Sequence, residues 1–216
     1  MFLNVLFDLD GTLTDPKEGF VNCIQYALRQ LGQSSQNEEY IASLIGPPLH
    51  STFVTLLHSD ESELIGEAIR LYRQRYSETG IFESEIYPGI TELLDLLHRN
   101  SYQLWVLTFK PKIWIEKIIK HFSYEQWFSG VFGPTLDERL SDKVELVKSA
   151  IAGAKMIPAD TVIIGDRKED IIAGNINGIL TVGVTYGYGT REEIIDAEPN
   201  YICDSPDDIR QVIMDH

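Results

Sequence analysis

The sequence predicts an α/β fold with a doubly wound, mainly parallel sheet and an all-helical insertion after its first strand, on three observations. Short apolar runs rich in strand formers recur at residues 2–7, 102–108, 161–166 and, more weakly, 180–184. Helical patterns separate them, and strands that alternate with helices pair in parallel. The chain's 216 residues, 44% hydrophobic and 24% charged, suffice for one large core and match globular composition rather than a disordered chain.

Residues 2–7, Phe-Leu-Asn-Val-Leu-Phe, read as a buried strand ending at Asp8-Leu9-Asp10-Gly11-Thr12, a loop with a glycine for its turn. Asp15-Pro16-Lys17-Glu18 then reads as N-cap, proline at the first helical position and an early acid. Phe20, Ile24, Ala27, Leu28 and Leu31 follow on one face, with Gly32 as the stop. Helical patterns cover residues 16–31, 38–45, 48–57 and 61–78. They put about seventy residues between sequential strands, where one crossover needs about a dozen. Residues 16–83 are therefore expected to form a helical domain, and residues 1–15 with 84–216 the α/β core.

Beyond it, Pro88 opens a helix with the stripe Ile90, Leu93, Leu94 and Leu97, and Lys110-Pro111 leads into Ile115, Ile118, Ile119 and Phe122. Thr190-Arg191-Glu192-Glu193 has the form of a capping box, and Ser205-Pro206 marks a last helix start.

Eighteen Lys and Arg against 33 Asp and Glu give a net charge of −15, a field that repels nucleic-acid backbones and anionic membranes. Neither is an expected partner. Cys23 and Cys203 show no metal-binding spacing and no disulfide framework, which fits a reducing, cytoplasmic setting. Asp8 and Asp10 interrupt the apolar start, so no signal peptide is read there, and no run reaches the length of a membrane span.

Asp8 and Asp10 flank Leu9 at the carboxyl end of the first strand. Two carboxylates so close repel one another unless a cation or a shared proton compensates. Alone they are a turn with two solvated acids. The pattern changes meaning because other strand ends carry matching groups: Thr108 after the second strand, Asp166 and Asp170 after the third, and Lys143 near a helix start. In a parallel sheet these ends lie along one edge, where such folds bind ligands.

Asp8-Leu9-Asp10-Gly11-Thr12-Leu13-Thr14-Asp15 resembles the first motif of the haloacid-dehalogenase-like hydrolases. Thr108, Lys143 and Gly165-Asp166-Arg167-Lys168-Glu169-Asp170 resemble the second, third and fourth, in the right order and across nearly the whole chain. Within that superfamily, Ile45-Gly46-Pro47-Pro48-Leu49 and Tyr186-Gly187-Tyr188-Gly189-Thr190 resemble the branch with phosphoglycolate phosphatases and bacterial 5'-nucleotidases.

The resemblance implies a Rossmann-like core with a helical cap and an Mg²⁺-dependent phosphatase acting on a small soluble phosphate ester, phosphoglycolate first among candidates. A 5'-nucleotidase or a phosphosugar mutase is the alternative. Asp8 would be the nucleophile and Asp10 the acid and base, with Asp8, the Asp10 carbonyl and Asp166 holding the metal. Phosphate dianions resist anionic attackers, so a carboxylate nucleophile needs a divalent metal and a lysine to neutralise charge. Hard oxygen ligands suit Mg²⁺.

Thr108 would donate to a phosphoryl oxygen, or simply end a strand. Lys143 would be the catalytic lysine, with Lys110 as competitor and a solvated helix lysine as the plain alternative; no proline follows it, unlike the common family pattern. Asp170 would hold Lys143 or a metal-bound water, or merely cap a helix. Gly11, Thr12 and Phe109 support the site, and Leu49 and His50, presented by the stiff Gly46-Pro47-Pro48 turn, would choose among esters.

A non-enzymatic receiver domain also assembles acids, a Thr and a Lys on such a sheet, but is shorter and lacks a helical insertion. Dehalogenation is disfavoured by Asp10. Gly187-Tyr188-Gly189 is no dinucleotide fingerprint. His50, His58, His98, His121 and His216 show no metal spacing, and Phe122, Tyr124, Trp127 and Phe128 read as packing.

Overall fold

The computed structural model describes residues 3–136 and 142–215; Phe2 of the first apolar run and His216 lie outside them. The chain divides into two compact units, residues 1–15 with 86–216, and Pro16–Glu85. Strand β1 (Asn4–Phe7) opens the first unit, and the two-residue strands β2 (Thr14–Asp15) and β3 (Glu85–Ile86) stand where the chain leaves and returns.

The sheet is completed by β4 (Gln103–Leu107), β5 (Phe128–Phe132), β6 (Thr161–Gly165), β7 (Leu180–Val184) and β8 (Tyr201–Cys203). Its six strands run β5-β4-β1-β6-β7-β8, and each neighbouring pair is parallel. The chain winds outward from β1 through β4 to β5, then crosses back to β6. That reversal makes the carboxyl ends of β1 and β6 the topological switch point, where open α/β sheets leave a crevice.

Parallel strands covered on both faces are near-continuously apolar, and β1, β4 and β6 are so after their first residues, Asn4, Gln103 and Thr161. On one face Leu6, Leu107 and Ile163 pack with Leu146, Val147 and Ala150 of α7 (Lys143–Ala154) and Ala173 of α8 (Lys168–Asn177). Val5, Phe7, Leu104, Val106, Val162 and Ile164 face the other way and are equally buried. There α5 (Ile90–Arg99) packs on β4 with Ile90, Leu93, Leu94 and Leu97 buried, and α10 (Pro206–Met214) packs on α5.

The sequence reading missed β5 and β8. Both sit at sheet edges; β5, Phe-Ser-Gly-Val-Phe, is nowhere fully buried and β8 is three residues long, so neither shows the continuous apolar run of a central strand. Phe128, read as packing, opens β5, while Phe122, Tyr124 and Trp127 do pack ring to ring. Asp15 does not cap α1 (Lys17–Gln30): Pro16 holds the N-cap position without a side-chain bond, and the Asp15 carboxylate accepts from the Tyr188 hydroxyl. Thr190 and Ser205 cap α9 (Arg191–Asp196) and α10, each accepting an N–H three residues on.

The second unit is helical: α1, α2 (Glu38–Ala42), α3 (Leu49–Leu57) and α4 (Ser62–Glu78). Tyr72 of α4 meets Phe20 of α1 and Phe53 of α3 edge-on and stacks on Tyr76. Such aromatic contacts add to the area they bury. Arg75 closes the unit with a two-pronged bond to Glu83, at 2.7 and 2.8 Å, and donates to Cys23 Sγ. Its guanidinium holds the Glu83 carboxyl below the usual carboxylate range.

Burial pushes the Cys23 thiol from 9.0 up to about 11 and Cys203 up to about 12. The folded state favours both neutral thiols, so their contribution is complete below the unfolded value and is lost as pH rises toward the folded ones. We expect the native protein to resist thiol reagents near pH 8, to react at both cysteines once denatured, and to melt at falling temperature above about pH 9. Rapid native labelling near pH 8 would contradict the burial.

Candidate active site

The carboxyl ends of β1 and β6 place Asp8 and Asp166 side by side, because the ladder pairs Phe7 with Ile164 and continues through the Asp8 N–H to the Ile164 carbonyl. Lys143 enters from the first residue of α7, whose N-cap, Asp142, accepts from the Val144 N–H. Its ammonium lies 2.6 Å from Asp8 Oδ1 and 2.8 Å from Asp170 Oδ1, with its side chain 4% exposed. The Phe109 ring stands 5.0 Å from the same nitrogen, within cation–π reach. Of the roles the sequence left open for Asp170, two are combined: Oδ1 faces Lys143, and Oδ2 accepts from the Arg167 N–H at the start of α8.

Asp166 is held from several sides. The Thr12 hydroxyl donates to Oδ1 at 3.4 Å and the Tyr188 N–H to Oδ2 at 2.8 Å. Gly11, at φ +88°, lies so close that a Cβ there would fall within the Asp166 carboxylate. A Cβ on Gly187 would strike the same carboxylate, and one on Gly189 the Asp166 carbonyl. Residues 186–189 thus form a strap after β7. It is tied at the Tyr186 hydroxyl to the Thr12 carbonyl and at the Tyr188 hydroxyl to Asp15. The sequence reading noted these residues as a resemblance but assigned them no part in the site; the available signal was a Gly-Tyr-Gly directly after a strand at the carboxyl edge.

Charge dominates here. Burial pushes the Asp8 carboxyl above the ordinary range, Lys143 pulls it down, and Asp170 and Asp166 push it up again. Burial and then Asp170 raise Asp166 against the Tyr188 N–H and Arg167. Burial alone would lower the Lys143 ammonium, yet Asp170 and Asp8 outweigh it and hold the group charged. One lysine does not neutralise three such carboxylates.

Asp10 stands apart from this cluster. Its Oδ1 accepts from Lys110 Nζ at 2.7 Å and from the Thr14 hydroxyl at 3.4 Å. Thr108, buried after β4, accepts the Lys110 N–H at its hydroxyl oxygen and keeps its own hydrogen to donate. Leu49 and His50 belong to the helical unit, on the first turn of α3. The core therefore gathers Asp8, Asp10, Gly11, Thr12, Thr108, Phe109, Lys110, Lys143, Asp166 and Asp170, and the two rival lysines face different carboxylates, Lys143 those of Asp8 and Asp170 and Lys110 that of Asp10.

Asp8, Asp166 and Asp170 each bring an oxygen within 4.8 Å of the others, a set of buried hard donors suited to a divalent cation. Their uncompensated charge is the second reason a cation fits. Asp10 is outside this set, and Oδ1 of its carboxylate is engaged by Lys110.

A parallel sheet in this order with acids at its switch point defines a Rossmann-like α/β core, and the family profile described as haloacid dehalogenase-like hydrolase matches residues 5–184. The chain belongs to that family. A 5'-nucleotidase of Pseudomonas aeruginosa is 35% identical over 99% of this chain and 96% of its own length. The tyrosine-protein kinase PtkA of Mycobacterium tuberculosis is 35% identical over 89% of this chain, which spans 65% of that protein. A phosphoglycolate phosphatase of Vibrio vulnificus is 28% identical over 97% of this chain and 95% of its own. Among solved structures, a predicted phosphatase from Clostridium acetobutylicum superposes with a TM-score of 0.94 at 35% identity, covering both chains in full. Family and relatives make this chain a phosphoric monoester hydrolase.

Lys143→Met leaves Asp8 and Asp170 buried without their countercharge. We expect a loss of about 3–5 kcal/mol in the metal-free protein, the range for breaking a buried ion pair from one side. Denaturant melts in EDTA measure it, and a loss under about 1 kcal/mol, the scale of a surface pair, would show that water already reaches these groups.

Proposed function

We propose that the protein is an Mg²⁺-dependent phosphatase of small phosphate monoesters that works through an aspartyl phosphate on Asp8. The observation behind the reading is the Lys143 ammonium between Asp8 and Asp170, with Asp166 alongside: a desolvated carboxylate with one cation in contact and a cluster of acids suited to a second. In the first step an Asp8 oxygen bonds to phosphorus as the ester P–O bond breaks, and the proton of Asp10 goes to the departing oxygen. In the second, Asp10 takes a proton from water as its oxygen attacks phosphorus, and the Asp8–phosphorus bond breaks to release inorganic phosphate.

The Thr108 hydroxyl donates to a phosphoryl oxygen, and Lys143 carries the charge of both the nucleophile and the transferred group. Asp8, Asp166 and the Asp10 carbonyl are the ligands assigned to Mg²⁺, which when bound neutralises charge between nucleophile and phosphate and polarises the phosphoryl oxygens. For the leaving group, similarity runs higher to the 5'-nucleotidase than to the phosphoglycolate phosphatase, 35% against 28%. Nucleoside monophosphates therefore take first place and phosphoglycolate second, the reverse of the order read from the sequence.

Asp8→Asn should lower turnover by more than about 10³-fold, as removal of a nucleophile does. Its melting temperature should hold or rise, because one of the crowded carboxylates is gone. A folded Asp8→Asn protein with near-normal turnover would rule out the aspartyl phosphate.

EDTA should abolish hydrolysis and Mg²⁺ restore it across a panel of nucleoside monophosphates, phosphoglycolate, sugar phosphates and p-nitrophenyl phosphate. Full activity in EDTA would remove the metal from the mechanism. A phosphorylated isomer of the substrate, in place of free phosphate, would make the protein a mutase.

A further inference from the structure

Lys110 is the second cation of the site, and it faces Asp10. It lies in the loop after β4, two residues past Thr108, and its side chain, 9% exposed, reaches Asp10, whose side chain is 17% exposed. The bond at 2.7 Å ends on Oδ1, the oxygen that also lies 3.4 Å from the Thr14 hydroxyl, whose one hydrogen is shared with the Leu9 carbonyl at 3.3 Å. Among the described residues no hydrogen-bond donor meets Oδ2. A charged donor at 2.7 Å, backed by a share of the Thr14 hydroxyl, holds one oxygen of the carboxylate and leaves the other to meet a proton.

We propose that Lys110 is the positioning residue of Asp10: with Thr14 it pins Oδ1, so that Oδ2 carries the proton to the leaving group and takes it back from water. The proposal rests on the reading that Asp10 handles that proton. Lys110 has a second effect in the first step. When Oδ2 gives its proton to the ester oxygen, Asp10 becomes a carboxylate beside a fixed ammonium, so the pair stabilises charge that appears only as the P–O bond breaks. In the second step the same ammonium keeps Oδ1 in place while Oδ2 accepts the proton of the attacking water. No atom of Lys110 is transferred.

Leaving-group chemistry separates this role from a general electrostatic or structural one. p-Nitrophenolate departs without a proton, whereas an alkoxide does not. In single-turnover experiments with Mg²⁺, Lys110→Met should slow alcohol release from the best alkyl ester of the panel by about 10²-fold, within the span of general acid catalysis. The p-nitrophenol burst should stay near wild type. Lys110→Arg, which keeps charge and reach, should restore most of the alkyl-ester rate, and Mn²⁺ binding measured by calorimetry should match wild type in both variants.

Equal losses on both esters, an arginine variant no better than methionine, or a parallel fall in Mn²⁺ affinity would each overturn the proposal. If Lys110→Met does not fold, Lys110→Gln takes its place in the same comparison. Asp10→Asn is the control for the underlying reading: if it slows both esters alike, Asp10 does not move the proton and both readings fall. Selective loss in Asp10→Asn with none in Lys110→Met removes Lys110 alone.

Discussion

Burying Asp8, Asp166 and Asp170 with oxygens within 4.8 Å of one another is the constraint on which the rest of this core depends. Each buried carboxylate costs several kcal/mol in lost hydration, and their mutual repulsion adds to it. Lys143 offsets part, which is why its side chain is drawn in until 4% is exposed and why α7 begins at that residue. The remainder must be borne by the surrounding fold. A sheet with an apolar centre and helices on both faces is rigid enough to hold like charges in register, and the switch point supplies an edge where they remain open to a ligand.

The strap over Asp166 follows from the same constraint. A carboxylate under repulsion swings away unless each oxygen is anchored, and here Thr12 anchors Oδ1 while the Tyr188 N–H anchors Oδ2. A backbone donor can approach only where no Cβ intervenes, hence the glycines at 11, 187 and 189. Tyr188 then uses its hydroxyl on Asp15, the last residue before the chain leaves the core. One residue therefore ties a candidate metal ligand to the exit strand, with all the atoms involved inside the core unit.

What the sequence revealed divides along a physical line. The central strands and the amphipathic helices were legible because continuous apolar runs and 3.6-residue stripes are local consequences of burial. Asp8, Asp10, Thr108 and Asp166 were legible because each follows such a run. Edge strands β5 and β8 were not, since a half-exposed strand carries no continuous apolar signal. Asp15 was misread because an acid before a proline looks the same whether it caps a helix or receives a tyrosine hydroxyl from 173 residues away. The rivalry between Lys110 and Lys143 had the same origin: both are lysines near the right edge, and only the fold pairs them, across 100 and 135 residues, with different carboxylates.

That pairing bears on how two aspartates two residues apart come to do different work. Asp8 is 6% exposed and sits among other carboxylates, so its lysine must serve a permanently desolvated charge. Asp10 lies outside the acid cluster, is more open, and has one oxygen committed to Lys110 and Thr14. Environments that differ in this way are how a single fold assigns unlike roles to like groups. On the reading proposed here, the enclosed aspartate attacks because it cannot trade its charge with water. The more open one moves protons because one oxygen is fixed while the other stays within reach of substrate and solvent. The division of the cations, Lys143 on the enclosed aspartate and Lys110 on the more open one, belongs to that assignment as much as the acids themselves do.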